Sequence, residues 1–172
     1  MFDFLRRRKS PLPPMTRRRW RGHTLNVRTI EQIKWVEEQS GFKVKVTKGS
    51  YRNSGTSTIG STHAGGGVFD CSVANMTPEE IDGLVQVLRK AGFAAWHRTP
   101  EQGPWKAHIH AVSLDDPDLS IAAQWQTQSF LQGRNGLRSN AVDHTPRPNP
   151  PVTWNYALKT PTAVNPKKAR KR

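Results

Sequence analysis

The chain has 172 residues, 34% of them hydrophobic, which suits one domain with appendages and a modest core. Its single cysteine, Cys71, excludes an intrachain disulfide framework and a thiolate zinc cage, so any metal must rest on His and carboxylate. No run approaches the ~20 apolar residues of a membrane span, and a net charge of +14 points to polyanionic partners.

The charge is unevenly placed. Residues 1–21 contribute +7, residues 22–131 contribute −1, residues 132–158 contribute +2 and residues 159–172 contribute +6. A near-neutral middle with basic ends suggests two arms that hold a polyanion or neighbouring protein subunits. The expected organisation is a basic, Pro-containing arm over 1–21, a domain over 22–133, and a Pro-rich extended tail with a basic tip over 134–172. Met1–Leu5 precedes Arg6-Arg7-Arg8-Lys9, the reverse of a secretory signal. The expectation is a protein made in a cytoplasm and kept there unless it is released to the cell wall or incorporated in a virion.

The first predicted element is a helix over 29–40. Thr29 with Gln32 reads as a capping box, Ile30, Ile33 and Val36 form an apolar stripe, and Gly41 is a natural stop. Strict alternation over 42–47 predicts a half-buried strand. The stretch 48–60, rich in Gly, Ser and Thr, reads as a long loop serving a site. A second strand is predicted over 68–73. Thr77-Pro78-Glu79-Glu80 opens a helix with an N-cap Thr, Pro at the first helical position and Glu at the third, and Gly92 ends it. Residues 93–98 and 105–114 read as the strands of an antiparallel hairpin. A last helix is predicted over 118–131, capped by Asp118. Beyond Gly133 the prolines forbid long elements, though 152–158 reads as a short docking strand. The fold class is α+β, a small antiparallel sheet with helices packed on it.

Candidate chemistry sits in two stretches. Ser61-Thr62-His63-Ala64-Gly65-Gly66-Gly67-Val68-Phe69-Asp70 places a histidine and an aspartate around three glycines. Trp105-Lys106-Ala107-His108-Ile109-His110 places two histidines two apart on a strand, hence on one face. If the two strands are neighbours, three or four donors meet on one sheet face. Two His and a carboxylate with water in the fourth position describe a catalytic zinc site. His97 is expected to face solvent, Cys71 to be a small core residue, and Tyr51 to pack.

These motifs, S-x-H-x-x-G-x-x-x-D followed by W-x-x-H-x-H and preceded by Lys48-Gly49-Ser50-Tyr51-Arg52, resemble the D-Ala-D-Ala carboxypeptidase and L-alanyl-D-glutamate peptidase family. That family includes phage endolysins and shares a zinc core with hedgehog and lysostaphin-type domains. The resemblance spans roughly 25–131. It implies a hedgehog-like fold flanked by the arms, and a zinc-dependent peptidase acting on peptidoglycan stem peptides. It implies His63, Asp70 and His110 as zinc ligands and His108 as the proton-transfer or oxyanion-stabilising partner, with the two strand histidines exchangeable in these roles. Arg52 resembles a cation near a substrate carboxylate, and Ser61 a substrate-bonding or loop-shaping residue. Many members carry a glutamate base three residues before the later histidine. Here that position is Ala107 or Trp105, which leaves Glu101 as an outlying candidate. The competing expectations are a phage virion subunit built on the same scaffold, and a nucleic-acid binder working through its arms alone.

Overall fold

The computed structural model describes residues 13–52 and 61–164. The first part of the N-terminal arm, most of the predicted long loop and the basic C-terminal tip lie outside the described residues. The fold is α+β. Eight strands and three helices run in the order β1 (Arg17–Trp20), β2 (His23–Asn26), α1 (Val27–Ser40), β3 (Val46–Lys48), β4 (Val68–Ser72), α2 (Pro78–Lys90), β5 (Phe93–Arg98), β6 (His108–Ser113), α3 (Ile121–Leu131), β7 (Val152–Asn155) and β8 (Thr160–Ala163). Among the described residues no helix is long and apolar enough to cross a membrane.

The centre is a four-stranded antiparallel sheet in the order β3-β4-β6-β5. Side chains alternate across it, so each strand supplies two different faces. Phe69, Cys71, Phe93, Ala95, Ile109 and Ala111 point to one face and join Ile30, Ile33, Val36, Leu84 and Leu88 of α1 and α2 in the main core. Phe69 and Phe93 meet edge to face at 5.4 Å, an arrangement that the ring quadrupole favours. Cys71 is fully buried there, and desolvation pushes its thiol up to about 12. The other face carries Val68, Ala94, Trp96 and Val112, which pack with Ala123 and Phe130 of α3 in a smaller cluster. Asp70, His108 and His110 fall on this second face by the same alternation.

The helices begin where their caps allow. α2 has the predicted capping box, with Glu80 N bonded to Thr77 Oγ1 at 3.2 Å and Thr77 N bonded to Glu80 Oε2 at 2.7 Å. α1 starts two residues before its predicted onset. Asn26 is the N-cap and accepts from Thr29 N at 2.8 Å, while Gln32 is drawn into the core to bond Ala91 O and Ser113 Oγ. α3 is capped by Ser120 and not Asp118, because the Asp118 carboxylate accepts from Tyr51 Oη at 2.7 Å. β3 is shorter than predicted. A register shift between Val46 and Lys48 interrupts its ladder, and Val44 N turns to the Glu37 carboxylate at 2.8 Å.

The two ends of the described chain differ most from expectation. Residues 17–20 are not an extended arm but a strand paired with β2, and Trp20 packs against the main core. Residues 134–164 are not an extended tail. An isolated bridge joins Arg134 to Val142, β7 and β8 form a hairpin, and Trp154 is buried against Trp35 at 6.4 Å. Prolines prevent helix there, but they do not prevent packing, and two buried arginines supply the donors. Arg28 bonds Trp154 O at 3.0 Å, and Arg89 bonds Pro146 O at 3.2 Å, Thr145 O and the Asp143 carboxylate.

Candidate metal centre

The antiparallel register sets the site. Asp70 of β4 lies opposite His110 of β6, and Ser72 lies opposite His108. A carboxylate and two imidazoles therefore share the α3 side of the sheet. His63 comes from a 3-10 turn, Thr62–Ala64, that precedes β4. Ser61 caps this turn, its Oγ accepting from His63 N at 3.2 Å, and Arg52 N donates to His63 O at 2.7 Å.

The glycines after His63 fit this loop to the 116–120 turn. A Cβ on Gly65 would lie 2.2 Å from Asp118 O, and Gly67 has φ +71. Close backbone approach is thus the reason for the glycines, against the chain that leads into α3. Asn26 ties the same region together, its Nδ2 donating to the Asp116 carboxylate at 2.9 Å.

His63, Asp70 and His110 bring their ligand atoms within 4.8 Å of one another. His63 Nε2 is 3.2 Å from Asp70 Oδ2, and His110 Nδ1 is 2.7 Å from Asp70 Oδ1. His108 Nε2 stands 3.8 Å from Asp70 Oδ1. His63 is 2% exposed and His110 6%, whereas the His108 side chain keeps 18% of its surface open. All four residues line a cavity of about 260 Å³, together with Arg98, Trp105 and Gln126.

The remaining ring nitrogens fix the tautomers. A neutral imidazole carries one N–H, and a carbonyl oxygen only accepts. His63 Nδ1 is 2.9 Å from Gly49 O, and His108 Nδ1 is 2.7 Å from Lys106 O, so each carries its proton there. His110 Nε2 is 2.8 Å from Gln126 Oε1, and the Gln126 amide is oriented by donating to Gly136 O at 3.4 Å. In the neutral form His63 Nε2 and His110 Nδ1 would each offer a lone pair toward the carboxylate, and each donates to Asp70 only when its ring carries a second proton.

Such a set of acceptors needs a cation among them: extra protons or a metal ion. Burial pushes the His110 imidazolium down, against the hydrogen bond and attraction from Asp70, which disfavours the extra proton. Burial also raises the Asp70 carboxyl, but the hydrogen bonds and attraction of His110 and His63 in their protonated forms outweigh it and hold the group well below the usual carboxylate range. Imidazoles that donate their far N–H to carbonyls are oriented as metal ligands usually are. The buried His63, Asp70 and His110 cluster could hold a metal ion.

The chain matches no family model, no curated protein and no solved structure.

Other residues take different places. Arg52 is exposed and Ser61 half-buried, and neither is among the residues that line the cavity. Both meet the His63 loop through the bonds above. Glu101 is exposed on a 3-10 turn, Pro100–Gln102, away from the cavity lining. His97 does not face open solvent, since it is half-buried with Nε2 enclosed. Tyr51 makes hydrogen bonds as well as packing, and burial, with its acceptor Asp118, pushes its hydroxyl up to about 12.

Sequence reasoning missed three participants. Gly49 contributes only a carbonyl, which no side-chain motif announces. Gln126 arrives with α3 through tertiary packing. Arg98 was within reach, because the predicted hairpin register places it opposite His108. Gln126→Leu removes the acceptor that sets the His110 tautomer while keeping side-chain bulk. It is expected to weaken metal binding about 10–100-fold, measured by competition against a chromogenic chelator. An unchanged affinity would reduce Gln126 to packing.

Proposed function

We propose that this chain is a zinc-dependent peptidase that hydrolyses peptide bonds in peptidoglycan stem peptides. The observation that carries the reading is the pair of imidazole nitrogens converging on one carboxylate inside a cavity. Zinc suits a set of two nitrogens and a carboxylate oxygen with room for water, and the single cysteine lies on the far face of the sheet. The S-x-H-x-x-G-x-x-x-D and W-x-x-H-x-H motifs, and their resemblance to the D-Ala-D-Ala carboxypeptidase and L-alanyl-D-glutamate peptidase family, supply the substrate class.

His63 Nε2, Asp70 and His110 Nδ1 would hold the metal. Zinc, when bound, supplies a readily deprotonated water and polarises a carbonyl. His108 Nε2 carries a lone pair toward the site, since its proton is committed to Lys106 O. It accepts a proton from the attacking water and returns it to the leaving amine. No glutamate is among the described residues that line the cavity, so His108 takes the role that a glutamate fills in many members of the family. Trp96 stacks on His110 at 6.4 Å and Trp105 meets His108 edge-on at 6.3 Å, so each imidazole packs against an indole. The basic ends would concentrate the protein on an anionic wall polymer.

The test is digestion of purified peptidoglycan by the zinc-loaded full chain, with mass analysis of the products. Release of stem-peptide fragments that stops on chelation and resumes with zinc is expected. Intact peptidoglycan after prolonged incubation with zinc-loaded protein would overturn the reading.

A further inference from the structure

Arg98 sits in the last position of β5, directly across from His108 on β6. Facing cross-strand residues hold their Cβ atoms about 5 Å apart, so the guanidinium stem runs beside the proposed catalytic imidazole. Arg98 is only 3% exposed. Its guanidinium lies over the Trp96 ring at 4.7 Å, and Trp96 in turn stacks on His110. Among the described residues no acceptor receives a hydrogen bond from it, and Nη2 is enclosed without a partner. Trp105 presents a second enclosed donor, Nε1, and lines the same cavity.

This is an unusual state for an arginine. A buried guanidinium normally meets a carboxylate, as Arg89 meets Asp143 at 2.6 Å elsewhere in this chain. Burial lowers the Arg98 pKa to about 10, which still leaves it charged at neutral pH. Asp70, the carboxylate of the same cavity, is engaged by His63 and His110. Two residues that line one cavity and each hold a donor without an acceptor call for a ligand that brings acceptors, and a planar fork of donors suits a carboxylate.

We propose that Arg98, with Trp105 in the same cavity lining, forms an anion subsite that holds a carboxylate of the substrate next to the metal ligands. The proposal rests on the peptidase reading for its substrate and names the cation as Arg98 and not the exposed Arg52. A cavity of about 260 Å³ is smaller than most drug-sized sites and suits the terminal residue of a peptide, whose carboxylate would lie within reach of the scissile bond.

The experiment is an NMR titration of the full chain, zinc-loaded and zinc-free, with N-acetyl-D-alanine and with its C-terminal amide. The acid is expected to bind at least ten times more tightly than the amide in wild type, with the preference lost in Arg98→Met and zinc content unchanged. The apolar replacement is also expected to melt at or above the wild-type temperature, because it removes a buried charge that no acceptor hydrogen-bonds; a purely structural arginine would lower it. Arg98→Lys keeps the charge but not the fork, and is expected to show a reduced preference should the methionine variant not fold. Equal binding of acid and amide, binding of neither, or a preference that survives both substitutions would overturn the subsite. If the protein holds no zinc at all, the peptidase reading falls, while an acid preference in the zinc-free protein that depends on Arg98 would still establish the subsite.

Discussion

Asp70→Asn is expected to lower zinc affinity by about two to four orders of magnitude. One ligand in three contributes about a third of a ~10–16 kcal/mol binding free energy, roughly 3–5 kcal/mol. The same substitution is expected to leave the metal-free protein as stable as wild type or more so. In the metal-free state, at a pH where both imidazoles are neutral, the carboxylate faces their lone pairs at 2.7 and 3.2 Å, whereas an amide can donate an N–H to one of them. Opposite signs for metal affinity and metal-free stability distinguish a metal centre from a structural hydrogen-bond cluster. In the structural case the asparagine variant would lose stability without metal. Chelator competition and thermal melts of both forms measure the two quantities. His63→Ala is expected to lose metal in the same way, with Gly49 O left without its donor as an added cost to stability.

Asp143→Ala is expected to destabilise the whole domain by about 3 kcal/mol, the lower end of the cost of leaving a buried charge without its partner. Arg89 is 1% exposed, and its pair with Asp143 is nearly as enclosed. The loss stays at the lower end because Arg89 keeps its bonds to Ala95 O at 3.0 and 2.8 Å and to the carbonyls of Thr145 and Pro146. For a chain of this size the melting temperature should fall by roughly 6–12 °C. The measurement also asks whether residues 134–164 belong to the cooperative unit. A single transition shifted downward is the expected outcome. A change below about 1 kcal/mol would make that segment an appendage, since Asp143 touches the domain through Arg89.

The elements with strong local signals were legible in the sequence. The Thr77–Glu80 capping box and the predicted hairpin of 93–98 and 105–114 correspond to α2 and to the β5–β6 pair, with β6 beginning only at His108. The motif residues His63, Asp70, His108 and His110 do come together, because strand alternation alone puts them on one face once β4 and β6 pair. What escaped depends on contacts distant in sequence. Thr29 with Gln32 satisfies the capping-box pattern, yet Gln32 is buried to bond Ala91 and Ser113, which moves the helix start to Asn26. Asp118 is a good cap by type but is claimed by Tyr51, 67 residues away. Proline content in the tail correctly excluded long elements and wrongly suggested an extended chain, because the buried donors of Arg28 and Arg89 cannot be seen from the composition of the segment they anchor. Within the site, the orienting groups Gly49 O and Gln126 belong to no motif, because one is a backbone carbonyl and the other arrives with α3.

Calorimetric titration of zinc into the metal-stripped full chain tests the account most directly. One zinc per chain is expected, with binding abolished or strongly weakened in Asp70→Asn and His63→Ala. A wild-type protein that takes up no zinc, or zinc uptake that is unchanged in both variants, would contradict the assignment of His63, Asp70 and His110 as a metal centre.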